Sequence, residues 1–304
     1  MADLQKIFKP AAGTRPKVAC EIRPEGVVAA RPGKKHGEVV AAFSSLPEGA
    51  VLAGLKVPNL ADAKAVTAAL ESALGDISAG KTVTLVVPDA AARVLLLDFD
   101  TLPSRRQEAL PVVRFRLRKM VPFDVEGAAV SYQVMSQKDG QLNVLVTVMP
   151  GDVLAEYESA VRDAGYEPGA VLPSTVAAAA TVGDASATLM VNHAAGSVTT
   201  AVTEGDEMLL HRLMDLPADP LGREEEMAQA VITALAWYED TLARLPSTMY
   251  YAGPGGASVA AQSRWVSLVE PAPRIADLGT PELIHALTSI PAGVLAGVTG
   301  ALTT

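Results

Sequence analysis

Several groups of residues in this 304-residue chain have types and spacings that could do chemistry. Asp98 and Asp100 stand two apart in RVLLLDFD, so on a strand both carboxyls share one face, as an acid–base pair would need. A turn position, or an ion pair with Arg93 or Arg105, accounts for the same two residues more simply. His36, His193, His211 and His285 show no metal-ligand spacing among themselves or with Cys20. The Gly33-Lys34-Lys35 stretch lacks the spacing of a phosphate-binding P-loop, and there is no Gly-x-Ser-x-Gly nucleophile elbow. The strongest group is basic: Arg114, Arg116, Arg118 and Lys119 fall within six residues. Arg114 and Arg118 lie one helical turn apart and could take a partner's carboxylates by bidentate pairing, with Val121, Phe123 and Val125 as an apolar lip. A solvated helix face explains the same arginines equally well. If the face binds, reversing Arg114 and Arg118 to Glu weakens a partner and leaves the melting temperature within a few degrees.

The elements that carry these residues follow from periodicity. Leu110, Val113, Leu117 and Met120 recur at the helical period, with Pro111 expected near the first turn and Pro122 ending the helix. The unbroken apolar run Val94–Leu97 before it reads as a buried strand. Strands Ala129–Met135 and Leu142–Met149, joined at Lys138-Asp139-Gly140, and a helix Val153–Ala164 closed by Gly165 complete a β-α-β-β-α unit. Upstream, Val18–Ile22 and Gly26–Ala30 form a hairpin, Glu38–Phe43 and Thr82–Val87 further strands, and Ala61–Leu74 an amphipathic helix. Downstream come a short strand Ala170–Leu172, a helix Ser174–Val182, and the strands Ala187–Asn192, Ser197–Thr203 and Glu207–Leu213. The long helix Glu224–Leu242 follows, then strand Thr248–Ala252, the turn Gly253-Pro254-Gly255-Gly256, helix Ala257–Arg264, strand Val266–Val269 and helix Pro291–Leu302. A meander with helices thus occurs twice, at about 18–87 and 187–302, the first copy being interrupted by the basic-helix unit.

Composition removes several function classes. A net charge of −9 and 4% aromatic residues argue against a nucleic-acid partner, which needs clustered cations and stacking platforms. One cysteine permits no intramolecular disulfide and suits a reducing compartment. No run of 18 apolar residues could span a membrane, and MADLQKIFK lacks the apolar core of a signal peptide. The expectation is a soluble, cytoplasmic protein with an aliphatic core.

The duplicated meander, the unit containing RFRLRKMVPFDVEG, the YYAGPGGAS turn and the closing SIPAGVLAGVTGAL resemble the PilM proteins of bacterial pilus assembly, relatives of the division protein FtsA. The resemblance runs over nearly the whole chain and implies an α/β, actin-like (ribonuclease H-like, duplicated) two-lobed fold with an inserted β-α-β-β-α subdomain. It places the first lobe at 1–88, the insertion at 89–168, a return helix at 169–186 and the second lobe at 187–304. It implies a protein peripheral to the inner membrane that grips the cytoplasmic N-terminal peptide of a PilN-like membrane protein and contacts other pilus platform proteins. The groove would lie between the first lobe and the insertion, with Arg114, Arg118, Val121 and Phe123 binding the partner.

Active members of that superfamily hold Mg-ATP between the lobes on two Asp-containing, glycine-bearing hairpins. Here the first hairpin reads CEIRPEGVV, with Glu21 at the Asp position and Arg23-Pro24 in the turn. The second, VNHAAGSVTT, has Asn192 instead of Asp, which keeps an acceptor oxygen and loses the charge. The adenosine-side turn is retained as Gly253, Gly255 and Gly256. The expected reading is a degenerate nucleotide site, hence a non-enzymatic scaffold with no cofactor. A working ATP/Mg switch is the alternative. The type II secretion protein of the same fold stands third, because that family continues into a membrane span and this chain ends at Thr304.

Overall fold

A computed structural model describes residues 15–78, 80–182 and 186–303. The first lobe is built on β1 (Ala19–Arg23), a strand buried along its whole length. β1 pairs antiparallel with β2 (Gly26–Pro32) and parallel with β4 (Thr82–Val87). β3 (Glu38–Ser45) and β8 (Glu167–Pro173) extend the sheet on either side. Being covered on both faces, β4 reads as a mostly apolar run instead of an alternating one, while β1 buries Glu21 and Arg23 along with its apolar residues.

One face of that sheet is covered by α1 (Ala63–Asp76) through Val66, Ala69, Leu70, Ala73 and Leu74. Asp62 caps this helix, its carboxylate accepting from the Ala65 amide at 3.0 Å. Beside it lies α3 (Gly151–Asp163), which sends Val153, Tyr157, Ala160 and Val161 into the same core. The last helix of the β-α-β-β-α unit therefore belongs to the first lobe, and the inserted part proper is shorter than 89–168. The reason is its stripe: the apolar face of α3 matches the lobe core, whose other helix leaves room for it.

The inserted subdomain is a three-stranded sheet in the order β5 (Arg93–Phe99), β7 (Gln141–Met149), β6 (Ala129–Lys138), with α2 (Arg106–Leu117) packed on it. Ala109, Val113 and Leu117 of α2 are buried over Val144, Val146 and Val148. The expected stripe member Met120 lies past the helix end and is exposed. Pro111 sits in the second turn of α2, deeper than expected, on an exposed face where solvent reaches the Gln107 carbonyl that lacks an amide partner. The subdomain leans on the second lobe, with Lys138 paired to Glu207 at 3.0 Å.

The second lobe has the sheet order β11 (Glu207–Asp215), β10 (Ser197–Glu204), β9 (Thr188–Ala194), β12 (Met249–Ala252), β13 (Ile275–Asp277). Its long helix α5 (Pro220–Leu242) starts four residues before the expected Glu224, because Asp219 caps it at Gly222 (2.7 Å) and Pro220 occupies the first turn. Met227, Val231, Ala234, Leu235 and Tyr238 form its buried stripe. The turn glycines lead into α6 (Gly256–Ala260). The expected strand Val266–Val269 is instead the short helix α7 (Arg264–Ser267) and a following turn, which bury Trp265, Val266 and Val269 against α5.

The C-terminal segment returns to the first lobe. β14 (Leu283–Ala286) pairs parallel with β3, and α8 (Ala296–Leu302) packs on β1 and β2 with Val294, Val298 and Ala301 buried. Assigning all of 187–304 to the second lobe is thus corrected by backbone pairing that spans most of the chain. Between the sheets, α4 (Ser174–Ala179) and α8 lie so close that a Cβ on Gly300 would land on the Ala177 carbonyl. Ala178, Met190, Ala201, Ala252 and Ala296 form this small-residue seam between the lobes.

Candidate functional site

The C-terminal ends of β1 and β4 and the hairpin of β9 and β10 converge between the lobes, where open α/β sheets place ligands. Seven polar side chains meet there. Glu21 and Arg23, on β1, are 1% and 3% exposed and form an ion pair of 2.9 Å. Ser174, at the start of α4, donates to Glu21 Oε1 at 2.7 Å. Asn192 on β9 donates to Ser174 Oγ and to Thr175 Oγ1, both at 2.9 Å. Glu21 and Asn192, singled out in the two hairpins, are therefore brought together through one serine.

Asp89, in a 3-10 turn after β4 (Asp89–Ala91), organises the other half. Its Oδ1 accepts from the Thr175 amide at 2.9 Å. Its Oδ2 accepts from Thr199 Oγ1 at 2.9 Å, from Asn192 Nδ2 at 3.3 Å and from the Thr175 hydroxyl. Sequence reasoning missed Asp89, Thr175 and Thr199. The available signal was an acidic residue immediately after a buried strand and a proline, a position that faces the crevice.

Burial sets the electrostatics. Desolvation outweighs Arg23 and Ser174 and holds the Glu21 carboxyl above its ordinary range, while Glu21 and Glu25 keep the Arg23 cation in place. His193, next to Asn192, is pushed down to about 4 by burial. Its Nδ1 lies 2.9 Å from the Tyr251 hydroxyl, and its carbonyl accepts from Arg23 Nη2 at 3.4 Å. Cys20 is buried with its thiol pushed up to about 12, so it is no nucleophile.

The glycine turn is a packing device. Gly253, Gly255 and Gly256 all have positive φ. A Cβ on Gly253 would meet the Tyr251 hydroxyl at 2.7 Å and His193 Cβ at 2.9 Å. One on Gly256 would meet Asp277 Oδ1, which accepts from the Ala257 amide, at 2.7 Å. Tyr251, buried in the second-lobe core, stacks on Trp265 with ring centroids 6.3 Å apart.

Side chains fill the inner end of the crevice between the hairpins. The cavity lined by Glu21, Arg23, Asp89, Ser174 and Asn192 measures about 10 Å³, about the space of one water. Above it opens a cleft of about 640 Å³ between the lobes at the root of the inserted subdomain. Leu46, Val51, Leu52 and Leu216 give it an apolar lining, and Glu25, Glu48 and Asp215 an acidic one. Its cation, Arg223, is engaged with the Pro217 and Ala218 carbonyls.

The residues expected to bind a partner sit differently from one another. Arg114 is half-buried and donates to the Val125 and Ala128 carbonyls, holding the loop between α2 and β6. Arg118 is exposed and paired with Glu126. Val121 and Phe123 are half-buried against the inserted core. Asp98 and Asp100 are both exposed and, among the described residues, pair with neither Arg93 nor Arg105, the latter being bonded to Glu108. Among the described residues no cluster of three or more His, Cys, Asp or Glu is placed to hold a metal, and no helix is long and apolar enough to cross a membrane.

No family model and no curated protein sequence matches the chain. Solved structures do. The chain is similar to a PilM-PilN type IV pilus biogenesis complex, with a TM-score of 0.73 at 16% identity over 95% of this chain and 98% of that one. It is also similar to the cytoplasmic domain of EpsL, an inner-membrane component of the type II secretion system of Vibrio cholerae, with a TM-score of 0.50 at 13% identity over 94% of each chain. The ethanolamine utilization protein EutJ of Carboxydothermus hydrogenoformans matches with a TM-score of 0.51 at 9% identity, over 99% of this chain and 93% of that one. The chain has a two-lobed actin-like fold, similar to that of the PilM-PilN structure.

Proposed function

We propose that this chain is a non-enzymatic actin-like scaffold of a pilus-assembly complex at the cytoplasmic face of the inner membrane, holding the N-terminal cytoplasmic peptide of a PilN-like membrane protein. The observation that carries the reading is a filled crevice beside an open cleft: Arg23, Glu21, Asn192 and Asp89 occupy the inner end of the crevice, while the 640 Å³ cleft next to it stays accessible. A triphosphate would meet Glu25, Glu48 and Asp215 there. A short N-terminal peptide suits the same lining, since it brings an α-ammonium and the Lys/Arg excess of cytoplasmic membrane-proximal segments. The likeness to the PilM-PilN complex over nearly the full length supports this partner class over the secretion relative, whose TM-score is lower.

This moves the expected contact from Arg114 to Glu48 and Leu52. Arg114 is committed to its own loop, whereas Leu52 is 60% exposed at the cleft. The test is fluorescence anisotropy with a labelled peptide carrying the cytoplasmic N-terminus of a PilN-like protein. Saturable binding that Glu48→Lys or Leu52→Asp abolishes supports the reading. Binding that survives both and is lost on Val121→Asp would move the groove to the insertion. Absence of binding overturns the proposal. Calorimetric titration with Mg-ATP separates the switch: heat at millimolar nucleotide would mean that the crevice opens and that lobe closure controls the partner.

A further inference from the structure

The outer face of α2 is unlike the rest of the surface. Residues 105–119 carry six cations (Arg105, Arg106, Arg114, Arg116, Arg118, Lys119) against one acid, Glu108, in a chain whose net charge is −9. The inner face of the helix is spent on the inserted core. The outer face presents Phe115, which at 71% is the most exposed large apolar side chain among the described residues, together with Val112 at 40% and Met120 at 46%. Val112, Phe115 and Arg116 follow the i, i+3, i+4 spacing that puts them on one side of the helix, and Lys119 lies in the exposed turn that follows it. Among the described residues neither Arg116 nor Lys119 has a carboxylate partner, and Arg118 shares only the exposed Glu126.

We infer that this face is a contact site for an anionic lipid surface. An exposed phenylalanine beside Arg116 and Lys119, two cations without carboxylate partners among the described residues, has a use where headgroup phosphates take the charges and the ring enters the acyl boundary. The long stems of Arg116 and Lys119 let their heads stay at the phosphate level while Phe115 goes deeper. A peptide partner would want a groove, and a single helix face over a three-stranded sheet is convex. The acidic remainder of the chain adds orientation: an anionic surface repels it and accepts α2, so the molecule would meet the bilayer with the inserted subdomain first. Vesicle binding requires no peptide, so its outcome is independent of the scaffold reading.

The test is flotation of the full chain with vesicles of mixed phosphatidylglycerol and phosphatidylcholine, against pure phosphatidylcholine. Binding to the anionic vesicles is expected at about 50 mM salt, weakening by about tenfold near 300 mM. The pair Arg116→Glu, Lys119→Glu should lose at least about tenfold in binding, and Phe115→Ser several-fold with the salt dependence retained. An unchanged melting temperature shows that these exposed changes leave the fold intact. A second readout is Phe115→Cys carrying a polarity-sensitive dye, which labels selectively because the native Cys20 is buried. Its emission should shift to the blue on anionic vesicles. No flotation of the native chain, equal flotation of the reversed pair, or flotation without a dye shift would each overturn the proposal. Capture of an acidic protein by α2 with no vesicle binding would overturn it as well and assign the face to a protein.

Discussion

Asn192 of the second lobe donates to the Ser174 hydroxyl of the first at 2.9 Å, and Ser174 donates in turn to Glu21 at 2.7 Å. One buried serine thus joins the two hairpin positions at which an actin-like ATPase would hold its metal. Each lobe supplies one end of this chain of bonds, so the polypeptide itself links the two lobes at this point. The network is connected through Glu21 Oε1, while Glu21 Oε2 is buried without a hydrogen-bond partner among the described residues.

The Arg23–Glu21 pair makes the first prediction. Both groups are buried, so Arg23→Met leaves a carboxylate with only Ser174 to hold it. The expected loss is about 3–5 kcal/mol in chemical denaturation. Combining Arg23→Met with Glu21→Gln should recover most of that, because the uncompensated charge is gone. Equal stability of the single and double variants would mean that the pair is not coupled.

The second prediction concerns pH. Burial lowers the His193 imidazole to about 4 from its ordinary 6.5, so the folded chain stays neutral there while the unfolded chain takes up a proton. Stability from this group is complete above pH 6.5 and is lost as pH falls toward 4, by a total on the order of 3 kcal/mol. Denaturation at pH 7 and pH 4.5 should show a smaller acid loss in His193→Gln than in the native chain. His211 is lowered by burial in the same sense, and the raised Glu21 acts oppositely. Both are common to the two proteins, so the difference isolates His193.

Much of this frame was legible in the residues, for local reasons. The first hairpin is set by Arg23-Pro24-Glu25-Gly26, and α1 and α5 by apolar stripes with acidic caps, all signals within a few residues. Asp89 escaped because its meaning comes from Thr175 and Thr199, 86 and 110 residues away. The return of β14 and α8 to the first lobe was hidden for the same reason, since β14 is four exposed residues whose place is fixed only by pairing with β3. Glu21 and Asn192 were visible as departures from a hairpin pattern, but nothing local said that Arg23 and Ser174 would fill the space between them.

Arg114 and Arg118 separate structure from surface, one turn apart on the same helix. Arg114 serves the Val125 and Ala128 carbonyls, so Arg114→Ala should destabilise the inserted subdomain by about 1.5–3 kcal/mol. Arg118 pairs with Glu126 where both are more than half exposed, so Arg118→Ala should stay within about 1 kcal/mol of the native protein. This revises the expectation that both could be reversed at little cost. Hydrogen exchange of the β6 and β7 amides, faster in the first variant and native-like in the second, would check it.

Asp89 carries the last prediction, because its carboxylate is where both lobes are read at once. Thr175 reaches it from the first lobe through amide and hydroxyl, while Thr199 and Asn192 reach it from the second. Asp89→Asn turns one acceptor oxygen into a donor that faces other donors, and should cost about 2–3 kcal/mol. Thr199→Val removes a single bond across the lobes and should cost about 1 kcal/mol. If the two groups clasp the lobes together, a double-mutant cycle gives a coupling of about 1 kcal/mol, and small-angle scattering of Asp89→Asn shows a larger radius of gyration. Additive losses with an unchanged radius would mean that the seam of Ala178 and Ala296 against Met190, Ala201 and Ala252 alone keeps the lobes closed.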